Sequence, residues 1–161
     1  MPKLILTKTS GFTFIELLIG ISLMVILFGI GFANFRGFQD RQRLISAVRI
    51  FKGDLRFTQK QALAGVKPVG CDFLQGYQLI WVGETKYEID ASCGATGTNY
   101  IKVKEVNFAV VSPGNKFVST FGNVYFNVLG RGVDQDREIR IINEKISQTQ
   151  AIKVTKGGEI N

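Results

Sequence analysis

The sequence predicts an α+β protein: a long N-terminal helix packed on a C-terminal antiparallel β-sheet or β-sandwich. Three observations predict it. Leu17–Phe35 is an apolar run without a charged residue. The next segment places apolar residues at helical spacing. From Gly76 onward, short β-rich runs alternate with turn residues about every ten positions.

The apolar run comes first. At about 1.5 Å per residue a helix over Leu17–Phe35 spans roughly 28 Å, close to the hydrocarbon thickness of a bilayer at about 30 Å. Gly20, Gly29 and Gly31 disfavour it as a water-exposed helix, whereas in a membrane or bundle they permit close backbone approach. The run is longer than a secretory signal core and lacks an Ala-x-Ala site, so the plain reading is a single-pass anchor. One carboxylate, Glu16, stands just ahead of it, and such a charge is costly in lipid.

The helix is expected to continue amphipathically over 36–65. Leu44, Val48, Phe51, Leu55, Thr58 and Ala62 follow one another in steps of four and three, a stripe read as core against the distal domain. The other face carries Arg43, Arg49, Lys52, Arg56 and Lys60. Gly65, with Pro68 beyond, ends the helix.

Strands are expected over Tyr77–Val82, Lys86–Ile89, Tyr100–Val106, Phe108–Val111, Lys116–Val118, Asn123–Val128, Glu138–Ile142 and Ala151–Val154. The turns are Gly83-Glu84-Thr85 and Ser112-Pro113-Gly114-Asn115.

Charge and composition limit the chemistry. The formal charge is +7 and histidine is absent. That removes the usual general base and metal ligand, and with them Ser-His-Asp and Cys-His catalysis. No P-loop glycine motif occurs. The expectation is a protein that is not an enzyme and holds no cofactor or metal. Basic residues concentrate between Arg36 and Lys60, while the segment from Val66 onward is nearly neutral. Such a segment suits anionic lipid head groups or, alternatively, nucleic acid. The charges flanking the apolar run do not decide its orientation.

The string Gly11-Phe12-Thr13-Phe14-Ile15-Glu16-Leu17-Leu18, behind a short basic leader, resembles the class III signal of type IV pilins and type II secretion pseudopilins. The resemblance implies a leader over 1–11, an assembly and transmembrane helix over 12–35, its amphipathic continuation over 36–65, and an exported β-rich domain over 66–161. It implies cleavage between Gly11 and Phe12 by a prepilin peptidase and N-methylation of Phe12. Glu16 then stands fifth in the mature chain. There it is expected to pair with the Phe12 amine of a neighbouring subunit, or to reach for the cytoplasmic interface. The implied partners are membrane lipid before assembly, the inner-membrane assembly platform, and other major and minor subunits in a helical filament. The implied location is the bacterial inner membrane, single-pass, with the C-terminal domain outside the cytoplasm, and later a periplasmic or surface filament.

Two further strings refine the resemblance. Val124–Gly132, with Leu129-Gly130-Arg131-Gly132 at its end, is similar to a turn of the H-type pseudopilin and FimT-like minor pilin branch. Ile152–Glu159 is similar to that branch's closing strand. FimT-like proteins that bind DNA carry a C-terminal Gly-Arg-x-Arg string, and here Gly157-Gly158-Glu159-Ile160 holds no arginine. The expected function is therefore a minor pilin or pseudopilin, with a DNA-uptake subunit as the alternative. Arg41, Arg43 and Arg131 are the candidate contacts to DNA or lipid phosphate, although Arg131 also reads as a turn residue. In an exported domain Cys71 and Cys93 are expected to form a disulfide; in a reducing compartment they read as buried thiols.

Overall fold

A computed structural model describes residues 11–130 and 132–161, with the side chains of all of these except 30–34. Residues 1–10 of the expected leader 1–11, and Arg131, lie outside the described residues. The chain divides into two compact units, Met1–Phe38 and Gln39–Asn161.

Helix α1 runs continuously over Phe14–Ala64. In the first unit its described side chains are exposed, including Leu17, Leu23, Leu27 and Phe28. Among the described residues no helix is long and apolar enough to cross a membrane. The apolar run of the sequence passes through 30–34, whose side chains are not described.

In the second unit α1 lies on two antiparallel sheets. One sheet has the order β3-β2-β1-β5 and the other β4-β6-β7. The strands are β1 Leu74–Gly83, β2 Lys86–Cys93, β3 Asn99–Asn107, β4 Asn115–Phe117, β5 Val124–Asn127, β6 Arg137–Asn143 and β7 Gln148–Val154. Trp81 pairs with Tyr87 and Gly83 with Lys86, so Glu84-Thr85 form the tip of the first hairpin. Gly65 ends α1 with φ +62°, a left-handed backbone that glycine adopts without strain. The Val66 amide closes the end by donating to the Gln61 carbonyl at 3.2 Å, the bond pattern of a glycine-capped helix.

Leu44, Phe51, Leu55, Thr58 and Ala62 are buried, with Val48 half-buried beside them. Ala47 and the carboxylates of Asp40 and Asp54 complete that buried face. Phe51 joins the layers. Its ring meets Tyr87 of one sheet at 5.0 Å and Phe117 of the other at 5.4 Å, edge to face, with Phe121 at 5.7 Å.

One expected strand is a helix. Phe108–Val111 forms a single turn, α2. Four consecutive apolar residues carry no period that separates strand from helix, and local hydrogen bonds decide. Asn107 caps the turn by accepting the Ala109 amide at 2.9 Å. The Ser112 amide closes it on the Phe108 carbonyl at 2.9 Å. Phe108 enters the core while Val110 and Val111 stay exposed.

Cys71 and Cys93 form a disulfide, with Cα atoms 5.5 Å apart. It ties the loop after α1 to the end of β2. In the chain-entropy description a loop of this size contributes about 3 kcal/mol. The double variant Cys71→Ser/Cys93→Ser should therefore unfold at lower denaturant than the oxidised protein, and dithiothreitol should move the wild type to the same midpoint. A wild-type midpoint unmoved by full reduction would show that the bridge adds no stability.

Candidate functional site

The residues Gly11–Leu18 sit at the start of α1. Gly11, Phe12 and Thr13 precede the first helical residue, and Phe12 is 86% exposed. A helix leaves its first amide groups without internal partners. Here the Glu16 carboxylate reaches back. Its Oε2 accepts the Thr13 amide at 3.4 Å and the Thr13 hydroxyl at 3.3 Å. The Glu16 and Leu17 amides donate to the Thr13 carbonyl at 3.1 and 3.2 Å. Thr13-Phe14-Ile15-Glu16 thus forms the reach-back half of a capping box. Its signal is a Thr-x-x-Glu spacing before an apolar run, open to sequence reading but missed above. The positive end of the helix dipole also favours a carboxylate here. Glu16 thus serves its own chain.

Arg41, Arg43 and Cys71–Cys93 belong to the second unit, so they are described apart from Glu16. Arg41 is exposed. The Arg43 guanidinium donates to Asp40 Oδ1 at 2.9 Å, one turn back along α1. Of the three candidate phosphate contacts, only Arg41 is therefore described as an exposed cation outside any ion pair. Arg131 lies outside the described residues.

Two buried polar groups fasten α1 to the sheets. Asp54 is 6% exposed. It accepts the Tyr87 hydroxyl at 2.8 Å on one oxygen and the Lys104 ammonium at 2.5 Å on the other. A buried carboxylate needs such partners. Burial, and then the charge and hydrogen bond of Asp54, push the Tyr87 hydroxyl well above its ordinary range, so it stays a donor.

The second group gathers at the Arg43 carbonyl. That oxygen accepts Ser112 Oγ at 2.8 Å and Asn115 Nδ2 at 3.1 Å. Asn115 Oδ1 in turn accepts Asn143 Nδ2 at 2.9 Å. Both sets are at least partly buried, satisfied by their own neighbours and spent on holding elements together. Among the described residues, no group of three or more potential ligands could hold a metal ion.

On β2, Asp90 is buried and its Oδ1 has no hydrogen-bond partner. Burial and neighbouring Glu88 push its carboxyl up, against the lowering effect of Lys102.

Comparison with protein-family models gave no match, and neither curated proteins nor solved structures gave one.

Proposed function

We propose that this chain is a non-enzymatic filament subunit, a minor pilin or pseudopilin of a type IV pilus-like or type II secretion machine. The observation that carries the reading is the start of α1. The Gly11–Phe12 bond stands before the helix on exposed residues, where a peptidase can take the chain in extended form. The only carboxylate of the following turn, Glu16, faces back toward that bond through Thr13. Cleavage there leaves a cationic amine on Phe12, close in sequence to a carboxylate that needs a charge partner once it leaves water.

The exposed apolar side chains of the first unit support the same reading. A helix surface of this kind is held by lipid or by other helices, because contiguous apolar patches of this extent are unfavourable in water. The chain is thus anchored by residues 12–35 in the inner membrane. The assembly platform then transfers it into a filament with other subunits. The Cys71–Cys93 bridge supports placing the second unit in an oxidising compartment outside the cytoplasm.

Processing tests the proposal. Intact mass of the membrane-extracted protein should show loss of the first eleven residues and gain of one methyl group. Gly11→Val puts a β-branched side chain at the cleaved bond and should accumulate precursor. Gly11→Ala, with its small side chain, should still be cut. Normal processing of the valine variant would sink the proposal.

A further inference from the structure

We infer that the solvent face of α1 in the second unit is a docking surface for a helix of another protein that presents carboxylates, and not for a second copy of this chain. Three observations on that face converge.

The first is unmatched charge. Arg49, Arg56 and Lys60 are exposed along one side of α1. No ion pair is described for any of them, whereas Arg43 and lysines 102, 104 and 116 all have acidic partners. At 1.5 Å per residue, Arg49 to Lys60 covers about 16 Å of helix, three turns of one sign. Like charges at this spacing repel, so the row needs anions from elsewhere.

The second is an open glycine at the centre of the row. A Cβ built on Gly53 meets nothing within 4 Å. Glycine inside an exposed helix is disfavoured relative to alanine, and nothing among the described residues crowds this position. A missing side chain lets another backbone approach closely.

The third is apolar surface on the same face. Phe57 is 37% exposed and Leu63 38%. A phosphate backbone gains little from them. A helix packing across Gly53 covers them, with its acids set against the cations on the flank.

A second copy does not supply those acids. Its own α1 face is equally basic. Beyond Glu16, the carboxylates of its α1, Asp40 and Asp54, are buried. On its sheets Glu88 and Glu105 share Lys102, Glu84 and Glu144 share Lys116, and Glu138 holds Arg140. Its exposed Asp72, Asp136 and Glu159 lie in loops, not on a helix. The partner is therefore a different protein with an acidic amphipathic helix. This conclusion does not depend on the filament reading, because it uses residues of the second unit alone.

The test uses the full chain in uncharged detergent and a synthetic alanine-based helix with glutamates repeated at helical spacing on one side. The peptide should bind, and binding should weaken as salt rises. Arg49→Glu/Arg56→Glu/Lys60→Glu should bind about tenfold more weakly, since three exposed ion pairs, each modest alone, are lost together. The reversed variant should instead bind the same peptide carrying lysines. Gly53→Leu raises helix propensity and keeps every charge, so it should remain folded yet lose the peptide. Binding indifferent to Gly53→Leu would reduce the surface to diffuse charge attraction and overturn the proposal. So would failure of the glutamate peptide to bind. A third overturning result is binding of duplex DNA or phosphatidylglycerol vesicles that the charge reversal abolishes while the glutamate peptide remains unbound.

Discussion

Glu16→Gln should be cut and methylated normally, remain helical from Phe14, and be depleted from sheared filaments by two decades or more. Glutamine can still reach back to the Thr13 amide, as glutamate does, because both side chains serve a capping box. What it lacks is charge. In the proposed filament, the Phe12 amine of a neighbour then lies buried without its counterion. Breaking such a pair typically costs about 3–5 kcal/mol, and each 1.4 kcal/mol is about tenfold in the equilibrium.

Glu16→Ala removes charge and cap together, so on its own it does not separate the two roles. The pair of variants does. If the carboxylate matters only as a cap, the glutamine variant assembles like the wild type and the alanine variant is mildly impaired. If the charge pair governs assembly, both fail to a similar extent. Quantifying the subunit in the filament fraction, with membrane levels as the reference, decides between these outcomes. The intrachain bonds, at 3.3–3.4 Å and exposed, are weak enough for a neighbour's ammonium to displace them.

Phe51→Ala should lower the unfolding free energy of the second unit by about 3–5 kcal/mol, the usual range for a deleted core aromatic. Phe51 is fully buried and its ring touches three others. Those rings come from β2, from β4 and from the loop after it, so one truncation opens a cavity where the helix meets both sheets. Collapse into that cavity is restricted. Tyr87 is held at its hydroxyl by Asp54, and following the lost ring would leave one oxygen of a buried carboxylate without its partner. Phe57→Ala, on the solvent side of the same helix, should cost less than 1 kcal/mol. Urea unfolding followed by tryptophan fluorescence, with Trp81 packed against the core, reads both. Similar midpoints for the two variants would contradict the packing described here.

The stripe from Leu44 to Ala62 was legible because burial repeats at the helical period. Ala47 escaped it because a small residue is ambiguous between core and surface. Asp54 escaped for a different reason. In the sequence it reads as an acid within a basic segment. Its role depends on Tyr87 and Lys104, which are 33 and 50 residues away along the chain, and no local pattern carries that pairing. Phe108–Val111 looked like a strand because apolar content was visible while the cap from Asn107 was not weighed. At the proposed assembly site the residues themselves stood out, since a lone carboxylate beside an apolar run is anomalous. The bond from Glu16 to Thr13 was written in the spacing and overlooked. The row of unpaired cations on α1 was visible as charge. Its lack of partners required the fold, because only the fold places most of the chain's other glutamates beside other bases.

The junction of Ser112, Asn115 and Asn143 on the Arg43 carbonyl also governs how α1 can open. Its hydrogen bonds join residues 69 and 72 positions apart, and Asn143 reaches the Asp40 carbonyl from 103 positions away at 3.5 Å. The helix from Asp40 to Ala62 therefore cannot fray turn by turn without disturbing both the α2–β4 connection and the end of β6. Its backbone amides should exchange with deuterated solvent only through openings that involve the sheets as well, at rates set by the whole second unit. Amides from Leu17 to Gly29, in detergent or lipid, belong to residues whose side chains are exposed. Their exchange should report the surrounding medium instead, so a single helix should display two separate protection regimes.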